Sequence, residues 1–300
     1  MSQNSLNQTV VIQNKFFIAH IETKGAQLIS LVNKKSGREL IWGRDKNYWG
    51  RCAPILFPII GGLKNDSYIF DGKKYNMGKH GIVRDAAFNS TLLSSSKAKF
   101  SYRYNEETLT VYPFKFEFET TFALTKEGVK QSFKVINLDS RPIWFCLGAH
   151  PAFNLPMEKE LTFSSYMIEF EKRETAPLYY LEKDLLAGKK ENFLNNQNKI
   201  PLQVKLFDND ALIFHRLKSK KIKIRPISGN KNSAFVFMNL KKFPMVGIWT
   251  KEGGAPFICI EPWYGVDDDK NSDGDFTKKM EIIKLAPTKK FKTAICFGGK

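Results

Sequence analysis

The alternation of hydrophobic and polar residues predicts short β-strands along most of the chain. Phe114 to Phe122 alternates with a period of two at its start, as expected of a strand with one buried and one solvated face. Similar runs, rich in β-branched and aromatic residues, recur between turn signals. The predicted strands are Thr9 to Ile12, Phe16 to Thr23, Tyr68 to Phe70, Lys99 to Tyr104, Phe114 to Ala123, Gln131 to Asn137, Ile143 to Leu147, Met167 to Phe170, Ala211 to Phe214, Ser233 to Met238, Met245 to Thr250, Phe257 to Glu261 and Thr293 to Phe297.

Helical periodicity is nearly absent from the sequence. Only Pro177 to Leu186 and Asp273 to Lys279 are predicted to hold a short helical turn. Many strands separated by regularly spaced turns favour a large antiparallel β-sandwich. Because no linker, low-complexity tract or repeat divides the chain, we expect an all-β fold in a single domain over residues 1–300.

Composition excludes disorder and a helical membrane span. The chain has 300 residues, of which 42% are hydrophobic, and its four cysteines show no disulfide or zinc spacing. The segment Met1 to Gln8 lacks the apolar run of a secretion signal. The most apolar stretch, Ala53 to Leu63, contains two prolines and is much shorter than the ~20 residues of a membrane helix. We therefore expect a cytoplasmic protein without a membrane partner.

The chain carries a large positive charge, 47 − 30 = +17. Such an excess is typical of nucleic-acid binders when the basic residues cluster. In the densest stretch, Lys218 to Arg225, the basic residues alternate with Ile222 and Ile224, which indicates one solvated strand face. No nucleic-acid partner is therefore expected, although the charge is compatible with an anionic small substrate such as a sugar phosphate.

Common cofactor and metal motifs are missing. The sequence contains no Walker A loop, no G-x-G-x-x-G after a strand, no G-x-S-x-G and no H-E-x-x-H. The run Asp269 to Gly274 fits the first half of a calcium loop, but Met280 occupies the position of the final glutamate ligand. We expect no metal and no cofactor.

Three ionisable residues stand out from their surroundings. His80 is followed directly by a glycine, which allows the backbone to approach a ligand closely. His150 ends an apolar strand that Pro151 interrupts, a position suited to a pocket mouth. Glu261 follows four apolar residues and precedes a proline that should end the strand. A carboxyl group at the edge of an apolar wall is partly desolvated, which raises its pKa.

Five short motifs together resemble the aldose 1-epimerase family, the galactose mutarotase-like proteins. They follow the family's order over almost the whole chain: Ala53 to Pro58, His80 to Arg84, Gly148 to Phe153, Asn209 to Ile213 and Glu261 to Trp263. The resemblance implies a large antiparallel β-sandwich, in agreement with the strand pattern. Pro-Ile-Leu-Phe-Pro at 54–58 is closer to the divergent branch associated with bacterial sugar-utilisation operons.

The resemblance also implies catalytic roles. Interconversion of α and β anomers needs a base for the anomeric hydroxyl proton and an acid for the ring oxygen. Glu261 would be the base and His150 the acid, placed on opposite sides of one open groove. His80 would donate a hydrogen bond to the substrate and stabilise developing charge.

A second group of residues is expected to bind the substrate. Asp210 lies in the matching motif and is expected to accept hydrogen bonds from sugar hydroxyls. Asp208 is the alternative for this role, because residues two positions apart on a strand point to the same face. The remaining candidates offer positive charge or an apolar platform: Arg84, Arg51, Lys79, Trp263 and Phe153.

The predicted function is that of a cofactor-independent aldose 1-epimerase acting on an aldohexose. A hexose-6-phosphate 1-epimerase is the alternative within the same enzyme class, with a cation on the phosphate. A non-catalytic carbohydrate-binding or regulatory protein is the alternative from another class. The expected partner is a small-molecule sugar or sugar phosphate, and a homodimer is left open.

Overall fold

The computed structural model describes residues 7–300, apart from the side chain of Glu191. Most of the segment Met1 to Gln8, interpreted above as lacking a secretion signal, lies outside the described residues. The described part is built mainly from antiparallel strands, as predicted. No helix within it is long and apolar enough to cross a membrane.

Twenty-three strands are present in residues 7–300. They are Thr9–Gln13 (β1), Phe17–Glu22 (β2), Gln27–Asn33 (β3), Arg38–Glu39 (β4), Ile55–Leu56 (β5), Ser67–Phe70 (β6), Lys73–Asn76 (β7), Asn89–Ser94 (β8), Lys97–Arg103 (β9), Phe116–Leu124 (β10), Gly128–Asn137 (β11), Ile143–Phe145 (β12), Leu147–Ala149 (β13), Ala152–Asn154 (β14), Tyr166–Glu182 (β15), Leu185–Pro201 (β16), Leu212–His215 (β17), Lys221–Pro226 (β18), Val236–Asn239 (β19), Met245–Trp249 (β20), Phe257–Tyr264 (β21), Ile283–Leu285 (β22) and Lys290–Gly299 (β23).

The helical segments are short. One α-helix, Glu106–Val111 (α1), lies within the described residues. The 3₁₀ turns are Lys64–Asp66, Val83–Asp85, Phe163–Ser165, Val204–Phe207 and Phe276–Lys278.

A long sheet of 15 strands dominates the fold. Its order is β5-β13-β21-β20-β17-β15-β18-β19-β23-β11-β10-β9-β8, with β14 also paired to β21 and β16 to β15. The first four strands form a separate sheet, and β12 with β22 and β6 with β7 form two-stranded ribbons. Strands distant in sequence therefore meet in one sheet, which allows distant residues to share a site.

Aromatic side chains fill much of the core. Phe57 is fully buried and contacts Tyr112, Phe116, Phe118 and Phe145 at ring-centroid distances of 5.1 to 5.8 Å. Such aromatic pairs contribute about 0.5–1.5 kcal/mol each beyond the burial of their area. Most of the 25 phenylalanines are buried and stabilise the interior of this strongly basic chain.

The observed strands confirm most of the predicted ones to within a few residues. In β18, Lys221, Lys223 and Arg225 are half-buried and alternate with the buried Ile222 and Ile224. This basic run is thus a strand with one solvated face, as the sequence indicates.

The prediction of a helical turn at Pro177 to Leu186 was wrong. This segment belongs to the hairpin of β15 and β16, whose two strands have 17 residues each. The turn residues Lys183 and Asp184 both have positive φ, at 50° and 62°. Pairing of Leu178 to Glu182 with β16, and of Tyr179 with Ile213 of β17, stabilises an extended segment that shows no strand periodicity of its own.

The helix α1 was not predicted. Asn105 caps it: its side chain accepts a hydrogen bond from the Thr108 backbone, and the Thr108 hydroxyl accepts one from the Asn105 backbone. This reciprocal capping lets a six-residue helix form without a hydrophobic period.

A buried ion pair lies next to the turn at Gly61 and Gly62, to which the Asp268 backbone is hydrogen-bonded. Lys279 Nζ donates to Asp268 Oδ1, and both side chains are 3% exposed. Asp268 also accepts a hydrogen bond from the backbone of Lys64. Removing one member of a buried pair leaves the other charge without compensation, which is much more costly than losing an exposed pair.

We predict that Lys279→Met lowers the free energy of unfolding by about 3–5 kcal/mol, because Asp268 would remain buried without its cation. Urea denaturation followed by tryptophan fluorescence measures this. Lys278→Met is the matched control, since Lys278 is 65% exposed and its solvent-screened pair with Asp273 should contribute little to stability. Equal losses in the two variants would contradict the prediction.

Candidate active site

A break in strand pairing lies opposite the middle of β21. Strand β13 pairs with Trp263 and Tyr264, whereas β14 pairs with Phe257 to Cys259. His150 and Pro151 occupy the gap between those two short strands. Both short strands keep the same register against β21, and this register places His150 opposite Glu261.

Pro262 does not end β21, contrary to the sequence-based expectation. The strand continues to Tyr264, and Pro262 is paired with Val246 of β20. On the other side of β21, the pairs with β13 stop at Trp263, so no ladder hydrogen bond there requires the N–H group that Pro262 lacks. A proline can therefore lie within a central strand here.

Two glycines make room for the Trp263 indole. A Cβ atom on Gly247 would lie 2.3 Å from this ring, and one on Gly148 would lie 2.6 Å from it. Any larger residue at either position would displace the indole. Trp263 thus lies against two neighbouring strands and forms part of the cavity wall.

His150 and Glu261 lie side by side at a cavity of about 270 Å³. His150 Nε2 is 3.2 Å from Glu261 Oε2, and the two side chains are 9% and 2% exposed. The expectation that they lie on opposite sides of a groove was wrong, because both project from adjoining strands of one sheet. Both nevertheless line the same cavity.

Two tryptophans hold the His150 ring. The Trp49 ring stacks on it at 4.7 Å, and the Trp249 ring meets it edge-on at 5.6 Å. The two indoles also contact each other at 5.4 Å. These contacts fix the orientation of the imidazole and keep its surroundings apolar.

Burial controls the protonation of the pair. It raises the pKa of Glu261 well above its ordinary range, and the nearby charge of Asp210 acts in the same direction. It lowers the pKa of His150 to about 3. Near neutral pH the uncharged pair is therefore favoured, with one proton on the carboxyl group and none on the imidazole acceptor nitrogen. An acid and a base are thus present together.

His80 is positioned by a reciprocal contact with Gly61. The His80 backbone N–H donates to the Gly61 carbonyl at 2.9 Å, and the Gly61 N–H donates to His80 Nδ1 at 3.0 Å. Since Nδ1 accepts, the proton of the neutral ring is on Nε2. Burial, followed by the charges of His150 and Lys79, lowers the pKa of His80 well below 6.5. His80 is therefore a neutral hydrogen-bond donor in the cavity wall.

The backbone at His80 is held in an unusual conformation. His80 and Gly81 both have positive φ, at 68° and 75°. A Cβ on Gly81 would lie 2.3 Å from the Phe57 carbonyl oxygen. Only glycine fits this close approach, so the motif His-Gly is required by the turn that presents the histidine.

Asp267 was not predicted, and it supports the same turn. Its side chain accepts a hydrogen bond from the Gly62 backbone at 2.7 Å. Burial raises the pKa of Asp267 to about 6. A carboxyl group from the segment after β21 thus positions the turn that positions His80.

Arg51 and Arg84 share one carboxylate. Arg51 Nη2 donates to both Asp85 oxygens at 3.0 and 3.1 Å, and Arg84 Nε lies 3.6 Å from Asp85. Arg84 Nε is buried without a hydrogen-bond partner in residues 7–300. Burial and the neighbouring charge of Arg51 lower the pKa of Arg84. Two cations with one anion leave this side of the cavity positive.

Lys79 lies between two acidic residues. Its Nζ is 2.6 Å from Asp184, at the tip of the β15–β16 hairpin, and 4.0 Å from Asp210. Burial acts to lower the pKa of Lys79, but the hydrogen bond with Asp184 and the charge of Asp210 outweigh it, so that the pKa is raised. Lys79 is a charged residue that already has partners.

The structure separates the two aspartates that the sequence could not. Asp210 lines the cavity, whereas Asp208 is exposed and does not. The two residues follow the 3₁₀ turn Val204–Phe207 and are not on a strand, and Asp210 has a φ of 69°. The assumed common strand face therefore does not exist.

The expectation that Phe153 forms a sugar platform was wrong. Phe153 is fully buried in β14 and contacts Phe297 at 5.8 Å, away from the cavity wall. The other candidates all line the cavity: Glu261, His150, His80, Asp210, Arg84, Arg51, Lys79 and Trp263.

Six further cavity residues were not among the site candidates: Trp49, Pro54, Leu181, Ala211, Trp249 and Asp267. The position of Trp249 at the end of a predicted strand could have identified it as a candidate cavity residue. Register places Trp249 opposite Cys259 and Gly247 opposite Glu261, so Trp249 is on the Glu261 face. That pairing is not visible in the sequence.

The fold and the cavity define an antiparallel β protein with a paired acid and base in a site of monosaccharide size. A sequence profile described as Aldose 1-epimerase matches residues 8–276. The chain belongs to the aldose 1-epimerase family, and this membership supports an isomerase of the epimerase type.

Relatives cover the whole length of the chain. The chromosomal Protein LacX of Lactococcus lactis subsp. lactis is 31% identical over 288 residues, which is 93% of this chain and 95% of LacX. A crystal structure of a galactose mutarotase related enzyme from Lactobacillus acidophilus matches with a TM-score of 0.91 and 31% identity, covering 98% of this chain and 97% of that one. A galactose mutarotase-like protein from Lactobacillus casei matches with a TM-score of 0.90 and 30% identity, covering 98% and 100%.

We predict that the His80 and His150 rings stay neutral as the pH falls from about 8 to about 5, where an ordinary histidine gains a proton. Burial lowers both pKa values, so protonation should begin only at lower pH. Imidazole ¹⁵N NMR measures this and should also show the proton of His80 on Nε2. Spectra of His80→Gln and His150→Gln assign the signals. A midpoint near 6.5 for either ring would contradict the assignment.

Proposed function

We propose that this protein is an aldose 1-epimerase that interconverts the α and β anomers of an aldohexose. The observation that carries the proposal is the contact of His150 with Glu261 at 3.2 Å in the wall of a small cavity. The anomeric oxygen O1 and the ring oxygen O5 are both bonded to C1. Adjacent acid and base groups can therefore reach both oxygens at once.

Ring opening follows from one proton held between two groups. The Glu261 carboxylate takes the proton from O1, the C1–O5 bond breaks as the C1 carbonyl forms, and His150 gives its proton to O5. Rotation about C1–C2 turns the aldehyde. Ring closure reverses both transfers on the other carbonyl face and restores the starting protonation.

This sequence of steps requires the charged form of the pair. In the free site the proton is favoured on Glu261, because the surroundings are apolar. A bound sugar replaces part of these surroundings with hydroxyl groups that stabilise a carboxylate, as the charge of Lys79 already does in part. Substrate binding would therefore produce the reactive form.

The remaining wall residues orient the sugar. His80 Nε2–H is directed by its Nδ1 contact and would donate to a ring oxygen or neighbouring hydroxyl that gains negative charge. Asp210 would accept hydrogen bonds from sugar hydroxyls. The apolar faces of Trp263 and Trp49 would cover the C–H faces of the pyranose.

A phosphorylated aldose is the second candidate, and the positive side of the cavity favours it. A cleft of about 500 Å³ adjoins the cavity and shares Trp49, Arg51 and Arg84 with it. The cleft also contains Lys24 and Arg44, and its two carboxylates, Glu22 and Asp85, pair with Arg44 and Arg51, so that four cations face two anions. A substituent on the sugar that reached this cleft would meet guanidinium groups suited to bidentate phosphate binding. Turnover of a sugar 6-phosphate in preference to the free sugar would identify this function.

A non-catalytic sugar-binding protein would not need the paired acid and base. Saturable sugar binding by calorimetry without faster anomer exchange would favour that alternative. A cytoplasmic location is part of the proposal, because the four cysteines are free thiols in a family that binds small metabolites.

We predict that Glu261→Gln lowers the rate of anomer exchange by about 10²–10⁴-fold, because an amide of equal shape cannot take a proton. Polarimetry after dissolving a pure anomer measures the rate, across a panel of aldohexoses. Glu252→Gln, an exposed substitution of the same kind, should leave it unchanged. Full activity of Glu261→Gln would exclude the proposed base.

Asp210→Asn should weaken sugar binding by at least about tenfold, since a charged hydrogen bond contributes about 1.5–3 kcal/mol. Asp208→Asn is the matched control and should bind as the unmodified protein does. Calorimetric titration with the best substrate compares the two. Equal affinities would remove Asp210 from the binding site.

Arg51→Met and Arg84→Met distinguish the two substrates. If the sugar is phosphorylated, each change should raise KM for the sugar 6-phosphate at least about tenfold while the rate with the free sugar changes little. Polarimetry with glucose and glucose 6-phosphate measures both. Parallel losses with the two sugars would indicate that the arginines do not bind phosphate.

A further inference from the structure

Cys259 lies behind the acid–base pair and has no part in the proposed chemistry. It precedes Glu261 by two positions in β21, so both side chains point to the same face of the sheet. It is also paired with Ala152, directly after the break that contains His150. The thiol is fully buried and free.

The three side chains form a compact set of metal-binding atoms. One thiol sulfur, one imidazole nitrogen and one carboxylate oxygen, from Cys259, His150 and Glu261, all lie within 4.8 Å of one another. Zinc ligands of these types lie about 2.0–2.3 Å from the ion, so a small inward movement of the side chains would bring all three into its coordination shell.

Two of these groups have buried polar atoms without partners. His150 Nδ1 has no hydrogen-bond partner among residues 7–300, Glu261 Oε2 has none beyond its 3.2 Å contact with His150 Nε2, and both side chains are more than nine-tenths buried. Buried polar atoms are normally hydrogen-bonded, and an unsatisfied one is costly. Coordination to a cation would satisfy such atoms.

We propose that Cys259, His150 and Glu261 form a zinc-binding site that inhibits the enzyme. The inhibition rests on the proposed epimerase function, whereas the metal binding does not. A thiolate ligand selects zinc over magnesium or calcium, which prefer oxygen. Three protein ligands leave the fourth position facing the cavity, where water can bind.

Zinc binding and catalysis exclude each other in this arrangement. Zn²⁺ replaces the thiol proton of Cys259 and the carboxyl proton of Glu261, and both protons leave to solvent. The buried site therefore stays electrically neutral, which limits the cost of placing an ion there. The lone pairs of His150 and Glu261 are then bound to the metal and cannot move protons.

Cobalt(II) tests the site directly, because a thiolate bound to cobalt gives an intense near-ultraviolet charge-transfer absorption. We expect this absorption on titration of the full chain with Co²⁺. Cys259→Ser and Cys259→Ala should abolish it and weaken binding at least about tenfold, the minimum expected for a metal site that loses a supporting group. Circular dichroism of the two variants shows whether both fold.

Cys296→Ala is the matched control, since Cys296 is the one incompletely buried thiol of the four and lies outside the cluster. It should retain the cobalt absorption in full. Absence of the absorption in the unmodified protein, or its persistence in both Cys259 variants, would overturn the proposed site.

Polarimetry with added Zn²⁺ tests the inhibition. Zinc should stop anomer exchange by the unmodified protein and by Cys296→Ala, and a chelator should restore it. The Cys259 variants should resist zinc at least about tenfold better. Equal zinc sensitivity of all variants would exclude inhibition through this cluster. If the cobalt absorption appears but the protein accelerates anomer exchange of no sugar tested, the metal site is supported and the proposed epimerase function is refuted.

Discussion

The arrangement of the cavity depends on an interruption in β-sheet pairing. Strands β13 and β14 pair with β21 in one common register, which places His150 directly across from Glu261. Pro151 and Pro262 lack the N–H groups that would continue the ladder between the two short strands. The strands therefore stop at Ala149 and resume at Ala152, although the Pro151 carbonyl still accepts a hydrogen bond from Ile260. The imidazole of His150 can then approach the carboxyl group.

The cost of burying ionisable groups is limited because the central ones are uncharged. Placing a lone charge in an apolar interior is strongly unfavourable, and a shared proton avoids it. Trp49 and Trp249 keep the His150 surroundings apolar, while the positive residues lie at the other side of the cavity. The same burial that prepares an acid and a base also leaves atoms without partners. The proposed zinc site follows from that property.

Hydrogen bonds connect the acidic segment after β21 to the turn that holds His80. The Asp267 carboxyl group accepts a hydrogen bond from the Gly62 backbone, and the Gly61 backbone N–H donates one to the His80 ring. Asp268 holds Lys64, and its backbone carbonyl accepts from Leu186 in the long hairpin. The hairpin tip in turn brings Asp184 to Lys79. Segments far apart in the chain thus position one wall, which explains why a buried pair such as Lys279 with Asp268 matters for the site.

The sequence by itself determined the strand-rich class, and of its nine site candidates eight line the cavity. Alternation of apolar and polar residues is a local property, and the five family motifs are short continuous segments that can be recognised in the sequence. Phe153 was misplaced because a motif does not say which face of a strand a residue occupies. Pro177 to Leu186 was misread because its extended conformation comes from pairing with β16 and, at Tyr179, with β17, and not from its local pattern. Only the tertiary structure decided that Asp210 faces the cavity, that Trp49 stacks on His150 and that Cys259 joins the pair. These facts depend on the register between strands that are distant in the chain, and no local pattern encodes that register.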